Sequence, residues 1–210
     1  MAMVDYHIHT FLCDHASGTP QEYIQKAVEA GLFEIGFSDH APLPEHLRQN
    51  ITMEPEEVEE YVNMLHEFHG KYPVEVKIGF ELDYPMHPTF DIRYFKDSRI
   101  DYIIGSCHFI GDWPFDHPAF IEEYTKRDIN DVYRDYYRIV YDMVASGMFD
   151  IIGHFDLVKK FGYRATEDLS KEIEPILKLA SKQSVAIEVN TSGWRKPVHE
   201  QYPSFDLIQK

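Results

Sequence analysis

The sequence predicts an α/β fold in which parallel strands close into a (β/α) barrel, and three observations support this class. Short apolar runs alternate with amphipathic helical runs along the chain, as in right-handed βαβ units. Histidine and acidic residues follow the apolar runs, at the strand ends where the loops of a barrel converge. No glycine-rich nucleotide fingerprint follows any run, which disfavours an open doubly wound sheet.

Length and composition limit the kind of protein. With 210 residues, of which 44% are hydrophobic, the chain is predicted to form one domain spanning residues 1–210. The net charge of −16 disfavours nucleic-acid and anionic membrane partners, and no apolar run approaches a membrane span or a signal peptide. Two cysteines form no disulfide framework, so a cytoplasmic setting is expected. The sequence does not decide whether the chain forms an oligomer.

The first half of the chain carries clear helix signals after its first predicted strand, Val4–Ile8. Thr19 is predicted to cap a helix that begins at Pro20, with Glu22 completing a capping box and Gly31 ending the helix. The other elements predicted in this half are a strand over Ile35–Phe37, a helix over about Pro55–Gly70, and strands over Val74–Phe80 and Asp101–Gly105.

The second half continues the alternation of strands and helices. A long aromatic helix is predicted over Asp128–Ser146, followed by a short strand at Ile151–Ile152. The helical pattern over Leu169–Lys182 contains Pro175, which is expected to kink or split the helix. A sixth strand is predicted over Val185–Val189, before an Asn-Thr-Ser-Gly run. Six strand ends are therefore available to carry functional side chains.

The strongest chemical signal is the pair His7 and His9 at the end of the first predicted strand. Residues two apart on a strand point the same way, and neutral imidazole binds zinc, iron and related ions. Alone, this pair is equally compatible with an ordinary surface strand. Five further strand-end runs favour a metal site: Cys13-Asp14-His15, Ser38-Asp39-His40, Gly79-Phe80-Glu81, Ser106-Cys107-His108 and Gly153-His154-Phe155-Asp156. Together they predict metal binding for catalysis.

With these residues in place, the chain resembles the polymerase-and-histidinol-phosphatase (PHP) superfamily, and most of all its histidinol-phosphate phosphatases. The matching motifs are D-x-H-x-H, C-x-H, S-D-H-(A/S)-P at Ser38–Pro42, the glutamate after G-x, S-x-H at 106–108, G-H-x-D at 153–156 and N-T-S-G at 190–193. The resemblance implies a distorted (β/α)7 TIM-like barrel that binds two or three divalent ions of zinc, iron or manganese. It also implies hydrolysis of L-histidinol phosphate in histidine biosynthesis.

The resemblance assigns ligands to three metals. They would be His7, His9 and Glu81 for the first, Glu81, His108 and His154 for the second, and His15 and His40 for the third. Glu81 is the implied bridge between the first two metals, and a carboxylate suits a bridge because it offers two oxygens and a charge. The catalytic residues expected on this basis are Glu81, His108, His154 and Asp156.

One departure from the family pattern concerns the end of the chain. The family has a final S-D-A-H-type motif after a seventh strand, which supplies one ligand each to the first and third metals. This sequence reaches Lys210 just after Phe205, Leu207 and Ile208 begin an amphipathic pattern. We therefore expect the last βα unit to be missing, through truncation rather than completion by a second chain.

Aspartates and cysteines next to the ligand motifs are expected to have supporting roles. Asp5, Asp39 and Asp156 are expected to hold a ligand imidazole or position a proton, with a helix or turn cap as the alternative. Cys13 and Cys107 are interpreted as small buried hydrophobes.

Three residues are predicted to contact the substrate. Lys160 and Arg195 follow strand-end motifs and would bind a phosphate group, with a solvated surface position as the alternative for Lys160. His117 lies in an aromatic-rich loop, Trp113–Phe120, and is the third candidate. The remaining histidines are expected at the surface: His46, His66, His69, His87 and His199.

The leading function is therefore hydrolysis of a small phosphorylated substrate, L-histidinol phosphate. A second candidate is another phosphoesterase of the same superfamily that acts on small nucleotides. A third is a noncatalytic metal-binding protein, which the missing motif keeps open. Turnover of histidinol phosphate with metal added separates the first candidate from the other two.

Overall fold

The structure, a computed structural model, describes residues 3–13, 15–48, 51–86 and 96–209. Its contacts divide into two compact units. The first covers Met1–Leu82 and Met86–Ile104, and the second covers Asp83–Pro85 and Gly105–Lys210. The organisation of residues 1–210 as a single domain stays a prediction.

The strands of the first unit lie side by side in sequence order. They are β1 (Val4–Ile8), β2 (Glu34–His40), β3 (Glu75–Asp83) and the first residues of β4 (Tyr102–Ser106). β2 pairs with β1 and with β3 in parallel, and its register with β3 places His40 opposite Glu81. Two predicted ligands on neighbouring strands are therefore adjacent at the carboxyl ends of those strands.

The first helix of this unit, α1 (Pro20–Ala30), begins and ends as the sequence predicts. The Thr19 side chain accepts from the Glu22 N–H, the Glu22 carboxylate accepts from the Thr19 N–H, and Gly31 ends the helix at φ 72°. The predicted helix over Pro55–Gly70 is shorter in the structure, because its first residues form a 3₁₀ turn and the α-helix ends at His66. Within the described residues, the other helical segments of the unit include α2 (Glu45–Arg48), which was not predicted, a 3₁₀ turn over Pro55–Glu57, and α3 (Val58–His66).

A buried tyrosine fixes the spacing between the strands of the first unit. The Tyr102 hydroxyl donates to the Tyr6 carbonyl at 2.6 Å and lies 3.1 Å from the Phe37 carbonyl oxygen. Its ring passes over Gly79, where an added Cβ would lie 2.6 Å from two ring carbons. Glycine at this strand position therefore provides the space that the Tyr102 ring occupies.

We expect Gly79→Ala to destabilise the protein by about 1–3 kcal/mol, the usual cost of overpacking a core. The Tyr102 ring cannot retreat without losing its hydroxyl contacts. Urea unfolding of Gly79→Ala, Tyr102→Leu and the double variant measures the effect. If the clash is the cause, the double variant is more stable than the sum of the single losses predicts; strict additivity would contradict this.

The second unit contains the end of β4, then β5 (Ile151–Ile152) and β6 (Ala186–Ile187), in that order, with β6 shorter than predicted. Its helices are α4 (Ile129–Ala145), α5 (Ser170–Gln183) and α6 (Phe205–Ile208), with 3₁₀ turns over Pro118–Lys126, Leu157–Lys159 and Ser192–Arg195. The predicted helix over Asp128–Ser146 is α4, and Asp128 caps it by accepting from the N–H groups of Asn130 and Asp131. α4 packs against α5.

Pro175 was expected to kink or split its helix. It does not split it, because α5 is one continuous helix. Proline at this position removes the hydrogen bond to the carbonyl of Lys171. Both residues are exposed, so water can bond the freed carbonyl group.

Six strands occur in the ranges that the structure describes, so the α/β class is confirmed and the count of seven barrel units is not. In the same ranges, no helix combines the length and the apolar character needed to cross a bilayer.

Candidate metal centre

One carboxylate oxygen lies among three imidazoles in the first unit. Glu81 Oε2 is 3.1 Å from His7 Nε2, 3.3 Å from His9 Nε2 and 3.2 Å from His40 Nδ1, and Glu81 is 2% exposed. Two donors bonded to a tetrahedral zinc ion at roughly 2.0–2.1 Å lie about 3.3 Å apart. The donor types and their spacing therefore fit a divalent metal ion.

The end of β1 presents its two histidines together, as the sequence predicts. The rings of His7 and His9 are 5.3 Å apart. The register of β1 against β2 shifts between Asp5 and Ile8, and irregularities of this kind turn side chains towards active sites. His9 Nδ1 is buried and has no hydrogen-bond partner among the described residues. His9 Nδ1 is therefore available for a further contact.

A second group of donors in this unit contains the predicted third-metal ligands. His9, His15 and His40 each offer a ring nitrogen, and these atoms lie within 4.8 Å of one another. The His15 ring is 4.9 Å from that of His9 and 5.4 Å from that of His40, and His15 is the exposed member. The structure thus places His15 and His40 together, with His9 beside them.

Asp39 connects the ends of β1 and β2. Its carboxylate, fully buried, accepts from the backbone N–H and the hydroxyl of Thr10, both at 2.5 Å. Burial raises the pKa of Asp39, and the bonds from Thr10 oppose that rise. Asp39 therefore holds the residue after His9. Asp5 accepts from the His7 N–H at 3.2 Å, which is the turn-capping alternative.

Both cysteines are buried, as predicted. The Cys13 sulfur accepts from the His40 N–H at 3.1 Å, and Cys107 is 1% exposed. Burial raises the pKa of each thiol above its ordinary value, so both are neutral at physiological pH.

In the second unit, two predicted ligands lie together and a carboxylate orients one of them. The rings of His108 and His154 are 5.1 Å apart. His108 Nδ1 is 2.7 Å from Asp83 Oδ1, a contact that leaves Nε2 to face a metal. Sequence reasoning missed Asp83, although it lies two residues after Glu81 on β3 and so shares its side of the strand.

Asp156 forms a buried ion pair that the sequence did not reveal. Its Oδ2 is 2.8 Å from Lys159 Nζ and accepts from the Ser204 N–H at 3.0 Å. Lys159 also reaches Glu200 Oε2 at 2.9 Å and the Gln201 carbonyl at 2.8 Å, and it is 2% exposed. Burial raises the pKa of Asp156, and Lys159 opposes that rise.

The predicted phosphate-binding residues belong to a group of cations. Lys160 Nζ pairs with Asp116 Oδ2 at 3.0 Å, and Arg195 is exposed at the end of a 3₁₀ turn. Burial lowers the pKa of Lys196, and the positive charges of Lys160 and Arg195 lower it further. Burial would raise the pKa of Asp116, but His108 and Lys160 outweigh it and the pKa is lowered.

The other described histidines cap a turn or lie at the surface. His117 Nδ1 accepts from the Ala119 N–H at 3.2 Å and so caps the 3₁₀ turn that follows. The predicted surface residues His46, His66, His69 and His199 are exposed. His87, and Asp14 of the Cys-Asp-His run, lie outside the described residues.

The chain is similar to known proteins over most of its length. The PHP domain profile matches residues 5–192. A protein of Deinococcus radiodurans named "Probable histidinol-phosphatase" is 41% identical over 217 residues, which cover 99% of this chain and 80% of that protein. A profile match over most of the chain and a relative at this identity both indicate common ancestry.

Two solved structures have the same fold. One, from Listeria monocytogenes, has a TM-score of 0.80 at 22% identity and covers 98% of this chain and 89% of its own. The other is the histidinol phosphate phosphatase of Lactococcus lactis subsp. lactis, complexed with zinc, L-histidinol and phosphate. It has a TM-score of 0.73 at 27% identity and covers 98% of this chain and 79% of its own. The chain belongs to the PHP domain family, in its histidinol-phosphatase branch.

Proposed function

We infer that this chain is a metal-dependent phosphomonoesterase that hydrolyses L-histidinol phosphate to L-histidinol and phosphate, in histidine biosynthesis. The observation that carries this inference is the position of Glu81 Oε2 within 3.1–3.3 Å of three imidazole nitrogens. The 41% identity to the Deinococcus relative supports the substrate, and so does the ligand content of the Lactococcus structure.

The proposal includes two or three divalent ions, with zinc favoured by the Lactococcus structure and iron or manganese left open. The proposed ligands are His7, His9 and Glu81 for one ion, His15 and His40 for another, and His108 and His154 for a third. The role of Glu81 as a bridge to this last ion is carried over from the family. Such ions supply positive charge to the phosphoryl oxygens and activate water for attack.

The charged residues of the second unit have proposed roles in substrate binding. Lys160 and Arg195 bind the phosphate group, and the nearby Lys196 supports an anion in the same place. His117 is retained as a proposed substrate contact. Asp156, held by Lys159, is proposed to act in catalysis through the position it gives to its neighbours.

Asp83→Ala is expected to weaken zinc binding about 10–100-fold, because it removes the carboxylate that orients the His108 ring. Asp83→Asn retains an acceptor oxygen and should lose less zinc affinity. Competition with a chromophoric chelator measures the affinity. Asp135→Ala, which removes only a surface ion pair with Arg138, is the matched control. Wild-type affinity in Asp83→Ala would show that the contact has no role in metal binding.

A substrate panel tests the proposed reaction. We expect phosphate release from L-histidinol phosphate, with kcat/KM well above the values for nucleoside monophosphates and p-nitrophenyl phosphate. A preference for nucleotides would instead support the second candidate function. Metal binding without turnover of any phosphate ester would support a noncatalytic protein. Cytoplasmic location and the lack of nucleic-acid and membrane partners stay predictions, and the oligomeric state stays open.

A further inference from the structure

His154 has a backbone conformation that L-residues rarely adopt. Its φ is +23°, and the residue is 7% exposed directly after β5 and Gly153. A non-glycine residue with positive φ persists only where its surroundings hold it there. The contacts that hold this backbone therefore also set the direction of the His154 imidazole.

Both peptide groups of His154 are held by hydrogen bonds. Its carbonyl oxygen accepts from the Leu157 N–H at 2.9 Å and from the Tyr136 hydroxyl at 3.3 Å. Its N–H donates to Glu188 Oε2 at 2.7 Å. The contact from Leu157 belongs to an ordinary turn, and the contact from Tyr136 comes from α4. The contact to Glu188 is different, because a charged side chain from another strand end binds the backbone.

Glu188 is brought to His154 by the pairing of β5 with β6. Ile152 lies opposite Ile187, and the Glu188 N–H donates to the Ile152 carbonyl at 3.1 Å. The side chain of Glu188 therefore begins beside the residue that follows β5. This register explains how a residue 34 positions later in the sequence reaches the His154 backbone.

Asn190 orients the other oxygen of Glu188. Asn190 Nδ2 donates to Glu188 Oε1 at 2.9 Å, and Asn190 Oδ1 accepts from the Ser192 N–H at 2.9 Å. The Asn190 backbone is itself fixed by two hydrogen bonds with Tyr202, at 2.6 and 2.9 Å. The amide group of Asn190 therefore presents its donor side to Glu188.

We propose that Glu188, oriented by Asn190, is a positioning residue that holds the left-handed backbone of His154 and so directs its imidazole to a metal ion. The proposal rests on the proposed function, in which His154 is a metal ligand. It also gives a physical role to the Asn-Thr-Ser-Gly run. Glu188 acts on the main chain of the ligand residue, whereas Asp83 contacts the imidazole ring of His108.

The test measures zinc affinity and stoichiometry by chelator competition and elemental analysis, together with kcat and KM. Glu188→Ala is expected to weaken the His154-dependent zinc about 10–100-fold and to lower kcat more than it raises KM. Glu188→Gln keeps an acceptor oxygen for the His154 N–H, so we expect most of the affinity to return. Glu174→Ala, at an exposed pair with Lys178 on α5, is the control.

Two further variants separate this proposal from the proposed function. His154→Ala removes the imidazole and should abolish binding of one zinc ion; full zinc binding in it would overturn both. Loss of zinc in His154→Ala but wild-type affinity in Glu188→Ala would overturn the positioning role alone. Asn190→Ala should lose less zinc affinity than Glu188→Ala. The double variant should lose no more zinc affinity than Glu188→Ala, because Asn190 acts through Glu188. Additive losses would overturn that order of action.

Discussion

Glu81→Gln is expected to lower kcat for L-histidinol phosphate by about 10²–10³-fold, the usual loss on removing one electrostatic stabiliser. Glutamine keeps the volume of the side chain but removes its charge from among the imidazoles of His7, His9 and His40. Bound zinc should fall as well, since a neutral amide is a poor ligand. Steady-state kinetics and elemental analysis of the purified variant measure both effects.

Glu75→Gln is the matched control for this substitution. Glu75 lies at the opposite end of β3, is exposed and pairs with Lys77. We expect kcat and zinc content within about twofold of wild type, because surface ion pairs contribute only about 0–1 kcal/mol. Near-normal turnover and zinc content in Glu81→Gln would show that Glu81 is not a metal ligand.

Lys159→Met is expected to destabilise the protein by about 3–5 kcal/mol, the cost of leaving a buried charge without its partner. Lys159 is 2% exposed and lies within 2.9 Å of Asp156 and Glu200. Methionine fills similar space but leaves the Asp156 carboxylate without its cation. Urea unfolding of the metal-free protein measures the change without a contribution from bound ions.

Lys178→Met serves as the comparison for that experiment. Lys178 pairs with Glu174 one turn away on the exposed face of α5. Its loss should cost no more than about 1 kcal/mol. If Lys159→Met costs as little as Lys178→Met, the buried ion pair contributes nothing that a surface pair does not.

Elements with strong local signals were predictable from the sequence. The capping box at Thr19 and Glu22 and the cap at Asp128 act within one turn, so neighbouring residues alone fix where those helices begin. The bounds of β1 and β5 were also predicted, and the strand-end histidines identified the candidate site. These features depend on sequence spacing of a few residues.

Features set by distant parts of the chain were not predictable. β3 continues past its predicted end at Phe80 and reaches Asp83. Its pairing with β2 covers seven residues up to Glu81, and a strand's partner is not visible in its own sequence. The sequence favoured Lys160 as the functional lysine, yet Lys159 is the buried one. Its position depends on the direction of the turn after His154 and on contacts to Glu200. Tertiary packing decides both cases.

The most direct test of the central claim is a metal titration followed by phosphate release. Protein freed of metal with a chelator receives zinc or manganese in steps, and turnover of L-histidinol phosphate is measured at each step. The account predicts no turnover without metal and a rise that saturates at two or three ions per chain. Turnover that persists without metal, or ions bound at these ratios with no turnover, would contradict it.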